Sequence, residues 1–254
     1  MEQFDYILLT MTLLGAVVFV ALYFIDAGYG KMISPKWGPT LPNRIGWMLM
    51  EMPVLTIVLY FWLTSEVKFS IPYLVFFLLF AFHYVHRTFV FPFRMNGRSR
   101  MPLSIVLMSV TFNLINGYIQ GYWLFRLAPE RAFYGSSWLT TPAFIAGAAV
   151  FFAGMYINRS SDEIIRGLRK PGDTRHYLPR GGMYNYVTSA NYFGEIVEWL
   201  GWAILTWSAA GLVFFWFTCA NLVPRANSIY NRYQNEFPEE FDKTRLKRIF
   251  PYIY

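Results

Sequence analysis

The sequence predicts an all-α, polytopic membrane protein with seven transmembrane helices, the N-terminus outside and the C-terminus in the cytoplasm. Three observations carry that prediction. Of 254 residues, 56% are hydrophobic, 20% aromatic and 15% charged, and the mean hydropathy is +0.33, too apolar for an ordinary soluble domain. Charge-poor runs long enough to cross a bilayer recur along the chain. Lys and Arg, counted on alternate sides of those runs, fall 19 to 3, the asymmetry that sets membrane orientation.

The first run, residues 6–25, reads "YILLTMTLLGAVVFVALYFI". Twenty helical residues rise about 30 Å, one hydrocarbon thickness. Glu2 and Asp5 stand where a secretory signal carries positive charge, and no small-residue cleavage site is evident, so the run reads as a retained helix. Runs 45–64, 71–91, 102–125 and 138–157 follow. Residues 183–223 carry Glu195 and Glu198 as their only charges. One helix of that length would rise about 60 Å, so the stretch divides into two spans, with a turn expected at 199–201.

The net charge of +7 sits in short loops beside these runs. Topology therefore accounts for it, and nucleic acid is not an expected partner. Cys219 is the single cysteine, which excludes an intramolecular disulfide and a multi-cysteine metal site.

Two loops carry cations at glycine turns, "AGYGK" (27–31) and "RMNGRSR" (94–100). Each reads either as a phosphate grip or as an ordinary positive-inside loop. In "INRSSDEIIRGLRKPGD" (157–173), helical geometry puts Asn158, Asp162, Arg166 and Arg169 within an arc of about 80°. Pro171 and Gly172 then end the helix. That stripe suits the polar parts of a nucleotide, or an interfacial helix with an Asp162–Arg166 pair.

"TSANYFGEIVEW" (188–199) places Asn191, Glu195 and Glu198 on one helix face. An ionisable group at mid-membrane costs about 2.5–3.5 kcal/mol, so two on one turn predict a polar cavity. Glu51 precedes Met52-Pro53 in the second run, and "HYVHR" (83–87) closes the third. His83 and His86 at i,i+3 lack an acidic partner in the motif, so no metal is expected. No G-x-G-x-x-G, Walker or G-x-S-x-G pattern occurs. What remains is a polar site in a helical bundle, suited to a charged cofactor from the cytoplasm and a lipophilic substrate from the bilayer.

These residues resemble the 3-oxo-5-alpha-steroid 4-dehydrogenases, the steroid 5-alpha-reductases. The likeness runs collinearly through "GYGK", "LMEMP", "HYVHRTFVFPF", "NGYIQGYWL", "INRSSDEIIRGLRKPGDT", "PRGGMYNYVTSANYFGEIVEWLGWAILTWS" and "FPYIY". The resemblance implies NADPH-dependent reduction of the delta-4 double bond of a 3-oxo-delta-4 steroid. It implies that Glu51 and Tyr84 hold the 3-keto oxygen. NADPH contacts carry over to Asn158, Asp162, Arg169, Asn191 and Glu195, with Tyr29, Lys31, Arg98 and Tyr233 beside them. Trp47 and Trp199 are the implied steroid walls, and Glu198 receives no role.

The expected organisation is one membrane-embedded domain, 1–254. Its substrate pocket comes mainly from 1–125, and its NADPH site from 158–254 with loops 27–44 and 92–101. The expected location is endoplasmic reticulum in a eukaryote or inner membrane in a bacterium, among membrane lipids and without an obligatory protein partner. The chain departs from the family where members often carry histidines, since it reads "RANSIYNRYQNEF", and at Met50, where glutamine is frequent. The loop at 94–100 aligns with a one-residue gap.

Three alternatives stay open. One is reduction of another lipid enone, an enoyl lipid or a polyprenol. A second is an S-adenosylmethionine-dependent membrane methyltransferase, which needs no keto-polarising pair. The third is a non-enzymatic sterol-binding protein, which needs no arginine-bearing cofactor stripe.

Overall fold

The computed structural model describes residues 3–25, 37–95, 99–168, 173 and 175–254. In chain order the elements are α1 (Gln3–Phe24), β1 (Thr40–Pro42), α2 (Asn43–Leu63), α3 (Ile71–Val85), α4 (Phe91–Arg94), β2 (Arg100–Pro102), α5 (Leu103–Tyr122), α6 (Ala128–Glu130), α7 (Pro142–Gly167), α8 (Ala190–Thr206) and α9 (Ala209–Glu236). A π-helical turn, His86–Val90, joins α3 to α4, and a second, Trp123–Leu127, joins α5 to α6. The described chain is thus mostly helical, as predicted. Six stretches are long and apolar enough to cross a membrane: Gln3–Phe24, Asn43–Leu63, Ile71–Arg94, Leu103–Glu130, Pro142–Gly167 and Ala209–Glu236.

The run at 183–223 does divide into two helices, but the turn lies at Trp207 and Ser208 instead of 199–201. Trp207 adopts the left-handed conformation (φ 44°) and ends α8. Ser208 then caps α9, its Oγ accepting from Gly211 N at 2.9 Å. Gly201, which suggested the earlier turn, lies inside α8, where a Cβ would run into the Phe151 backbone. This glycine serves close packing, a common use in membrane helices. At 17 residues α8 rises about 26 Å, shorter than the six.

The chain forms two compact units, Met1–Asp26 with Ala146–Tyr254, and Ala27–Ile145. In the first unit, Gly15 of α1 admits the ring of Trp216 from α9, whose Nε1 donates to Thr12 O at 3.1 Å. Helices α7 and α8 meet through glycines spaced by seven residues, Gly147 and Gly154 on one, Gly194 and Gly201 on the other. A Cβ at any of these would strike the opposing backbone. Two turns separate such residues on one face, so both helices present a continuous groove, the small-residue contact that substitutes for hydrophobic drive in lipid.

The tail beyond α9 closes this unit. Thr188 N donates to Lys247 O and Lys247 N to Tyr186 O, both at 2.9 Å. Thr188 Oγ1 donates to Arg248 O at 3.1 Å. Ile249 is fully buried with Ile196, Leu222 and Ala226. The Arg248 guanidinium lies over the rings of Tyr230 and Tyr254, and its Nε donates to Asn227 Oδ1 at 2.6 Å. The Tyr254 hydroxyl hydrogen-bonds the Tyr23 hydroxyl of α1 at 3.0 Å.

In the second unit, β1 and β2 pair antiparallel and bring the starts of α2 and α5 together. Gly46 meets Met101 and Val106, Gly117 meets Val54 and Ile57, and Gly121 meets Phe61. The numbers ascend together, so α2 and α5 run in the same direction, and Gly117 and Gly121 form a small-xxx-small contact.

Candidate active site

In the first unit the two polar stripes meet. Gly154 and Gly194 let the α7 and α8 backbones touch, and Asn158 and Asn191 stand one turn beyond those glycines. Asn158, 3% exposed, donates from Nδ2 to Asn191 O at 2.9 Å. Asn191 Nδ2 donates to Asp162 Oδ1 at 3.1 Å. Glu195, half-buried, follows Asn191 by one turn, and Glu198 is fully buried where α8 presses on Gly154. Shared helix phase thus leads to different surroundings: Asn191 faces polar groups, whereas at Glu198 the main chain itself lies against Gly154 of α7.

Tyr184, which precedes α8, was not singled out from sequence. It is 2% exposed and its hydroxyl donates to Asn191 Oδ1 at 3.4 Å. Burial, with the Asp162 carboxylate and Tyr233 nearby, pushes its phenol well above the usual tyrosine range. Ser189 is 1% exposed and its Oγ has no hydrogen-bond partner among the described residues. Tyr233 packs with Leu178, Tyr230 and Phe241. Trp199 lies in an aromatic cluster with Phe151, Trp202 and Phe214.

The segment carrying Tyr184 is tied to the end of α9. Arg180 pairs with Glu240 at 2.8 Å, His176 Nδ1 with Glu236 at 2.7 Å, and Arg232 bridges to Glu236 at 2.8 Å. Hydrogen bonds from Arg175 and from Tyr177 hold the Asp173 carboxyl well below its usual range. A cleft of about 150 Å³ opens here, lined by Arg180, Tyr184, Asn185, Glu240, Asp242 and Arg245 among others. On α7, Arg166 pairs with Glu163. Tyr29, Lys31, Arg98, Arg169 and the Pro171-Gly172 break lie outside the described residues.

The second unit holds the other candidates. Glu51 is half-buried in α2, two residues before Pro53. Tyr84 is 3% exposed, with its ring against Phe80 and His83. Trp47, one turn before Glu51, carries the Arg87 guanidinium 4.6 Å from its ring centroid, and Phe91 stands edge-on to it at 5.0 Å. Arg87, one turn beyond Tyr84, is buried; cation–π contact is one way to hold a desolvated guanidinium. The sequence offered "HYVHR" but no signal for its aromatic partner. Helix α5 adds a buried amide stripe of Asn113, Asn116 and Gln120, with Asn113 Nδ2 donating to Met50 O at 2.6 Å.

Comparison with known proteins gives one family. A family model described as 3-oxo-5-alpha-steroid 4-dehydrogenase matches residues 99–254. The chain is 39% identical over 257 residues to steroid 5-alpha-reductase DET2 of Arabidopsis thaliana, covering 99% of this chain and 97% of the relative. It is 38% identical over 242 residues to 3-oxo-5-alpha-steroid 4-dehydrogenase 1 of Homo sapiens, covering 94% and 91%.

Proposed function

The chain belongs to the 3-oxo-5-alpha-steroid 4-dehydrogenase family, and from that premise we propose that it reduces the delta-4 double bond of a 3-oxo-delta-4 steroid with NADPH. The product is the 5-alpha-3-oxosteroid. The observation that carries the cofactor half of this reading is the meeting of buried Asn158 with half-buried Asp162 and Asn191. A nicotinamide nucleotide brings an amide and ribose hydroxyls, groups that need both donors and acceptors. The amide and carboxylate of that cluster, and the buried Ser189 hydroxyl without a partner among the described residues, fit such a group. Glu195 and Tyr233 hold it from α8 and α9, and Arg98, Arg169, Lys31 and Tyr29 are the contacts assigned to its polar ends.

When bound, NADPH supplies the hydride that reaches carbon 5. Glu51, as the neutral acid, and Tyr84 donate hydrogen bonds to the 3-keto oxygen. Those bonds strengthen as enolate charge develops there, and stronger binding of the transition state than of the substrate is what accelerates the step. Carbon 4 then takes a proton. Trp47 and Trp199 are assigned to the apolar walls.

The same proposal makes α8 a seventh span, with the N-terminus outside and the C-terminus and cofactor site cytoplasmic. The 19-to-3 division of basic residues supports it. The membrane is endoplasmic reticulum in a eukaryotic host and inner membrane in a bacterial one. The steroid enters from the bilayer, and no protein partner is required.

The test uses purified protein, testosterone or progesterone, and stereospecifically deuterated NADPH. Deuterium at carbon 5 of the product is expected. Product lacking the label at carbon 5, from folded protein, would refute the hydride route.

A further inference from the structure

We infer that Tyr184 is a positioning residue of the cofactor site, acting through Asn191 by anchoring the Oδ1 end of the side-chain amide that Asp162 orients. This inference rests on the cofactor reading above. A carboxamide has two orientations that differ by exchange of a donor and an acceptor, and only its hydrogen-bond partners choose between them. Asp162 takes a hydrogen from Asn191 Nδ2 at 3.1 Å, which aims the NH2 group at α7. The carboxylate only accepts, so Asp162 chooses the orientation. The Tyr184 hydroxyl then donates to Asn191 Oδ1 at 3.4 Å and anchors the opposite end of the amide that Asp162 has oriented.

The surroundings make that choice firm. Tyr184 is 2% exposed, in a small core of Tyr184, Val187 and Ala190 backed by Ile164 and Met183, so the ring has little freedom to swing away. Its burial beside the Asp162 carboxylate keeps the phenol protonated, hence able to donate. The Asn191 backbone is held in turn, because its carbonyl accepts from Asn158 Nδ2 at 2.9 Å. With backbone and amide both fixed, the remaining amide hydrogen and carbonyl lone pair of Asn191 have set directions before the cofactor arrives. Preorganisation of this kind raises affinity by removing an ordering cost from binding.

The experiment is a double-mutant cycle on the full chain in detergent, with NADPH affinity read by quenching of tryptophan fluorescence and turnover read on testosterone. Tyr184→Phe keeps the ring and removes the hydroxyl. The expected result is a threefold to tenfold rise in the NADPH dissociation constant, with kcat at saturating NADPH and the steroid KM within twofold of the parent. In an Asn191→Ala background, Tyr184→Phe is expected to change NADPH affinity by less than a factor of 1.5, because the amide that it anchors is gone. Equal losses in both backgrounds, or unchanged affinity in Tyr184→Phe alone, overturn the inference while leaving the cofactor reading intact. Absence of NADPH binding by the parent protein overturns both.

Discussion

Replacing Gly194 with alanine tests the link between helix packing and the cofactor cluster. The added methyl would lie 2.3 Å from Asn158 N, 2.7 Å from Asn158 Cα and 2.9 Å from Gly154 O, whereas relaxed contacts begin near about 3.5 Å. Helices α7 and α8 must therefore part by about 1.2 Å, because the obstructing atoms are backbone and cannot rotate away. Added to the 2.9 Å bond from Asn158 Nδ2 to Asn191 O, that shift gives about 4.1 Å, beyond hydrogen-bonding range. Overpacking costs about 1–3 kcal/mol and the lost bond about 1 kcal/mol, together about 2–4 kcal/mol. For a chain of this size each kcal/mol moves the midpoint by about 2–4 °C, so thermal unfolding in detergent should show a fall of about 5–15 °C, together with weakened NADPH binding. Gly167→Ala, where a Cβ meets nothing within 4 Å, is the control and should stay within about 2 °C of the parent. An unchanged midpoint in Gly194→Ala would refute the close-packing argument.

Three further outcomes are expected. Glu51→Gln and Tyr84→Phe should each lower turnover at least about tenfold while leaving NADPH binding nearly intact; normal turnover in both would remove them from the keto-oxygen role. Ser189→Ala should leave the melting midpoint of the cofactor-free protein unchanged or slightly raised, since the hydroxyl has no partner among the described residues, and should weaken NADPH binding about threefold. A lowered midpoint with normal binding would make Ser189 structural. Burial and the bond to Tyr23 push the Tyr254 phenol up to about 12, against an ordinary value of about 10. Its stabilising share is therefore complete below about pH 10 and lost as pH rises towards 12. Tyr254→Phe should flatten that part of a stability-versus-pH curve, and an unaltered curve would count against the Tyr23–Tyr254 contact.

Much of this arrangement is legible in the sequence, for reasons that differ by element. Charge-poor runs mark α1, α2, α3, α5, α7 and α9 because length and apolarity are local properties. The stripes at Asn158, Asp162 and Asn191 are legible because helical phase is fixed at 100° per residue. Phase gives a direction but not a neighbour, which is why Glu198 shares the stripe of Asn191 and yet is buried against α7. Glycine misled once: Gly201 read as a turn and proved to be a packing position. Its seven-residue spacing from Gly194, matched by Gly147 and Gly154, was the available signal. Tyr184 and Arg87 were obscure for another reason, since their roles come from contacts with Asn191 and Trp47 that only the folded backbone creates.

The tail contacts also set an order of assembly. The segment just ahead of α8 donates hydrogen bonds to carbonyls 59 and 60 positions later, from Thr188 to Lys247 O and Arg248 O. Helix α1 meets the tail across 231 positions, through Tyr23 and Tyr254. During synthesis α1 is made well ahead of residues 247–254 and must remain without this partner until they follow. Contacts of such separation are slow to form. The first turn of α8, and Asn191 with it, is therefore among the last parts of the molecule to become fixed. A nascent chain stalled short of Lys247 would already carry its apolar helices while lacking the contacts that fix the start of α8, so insertion of the helices and completion of the proposed cofactor site are separable events in the life of this protein.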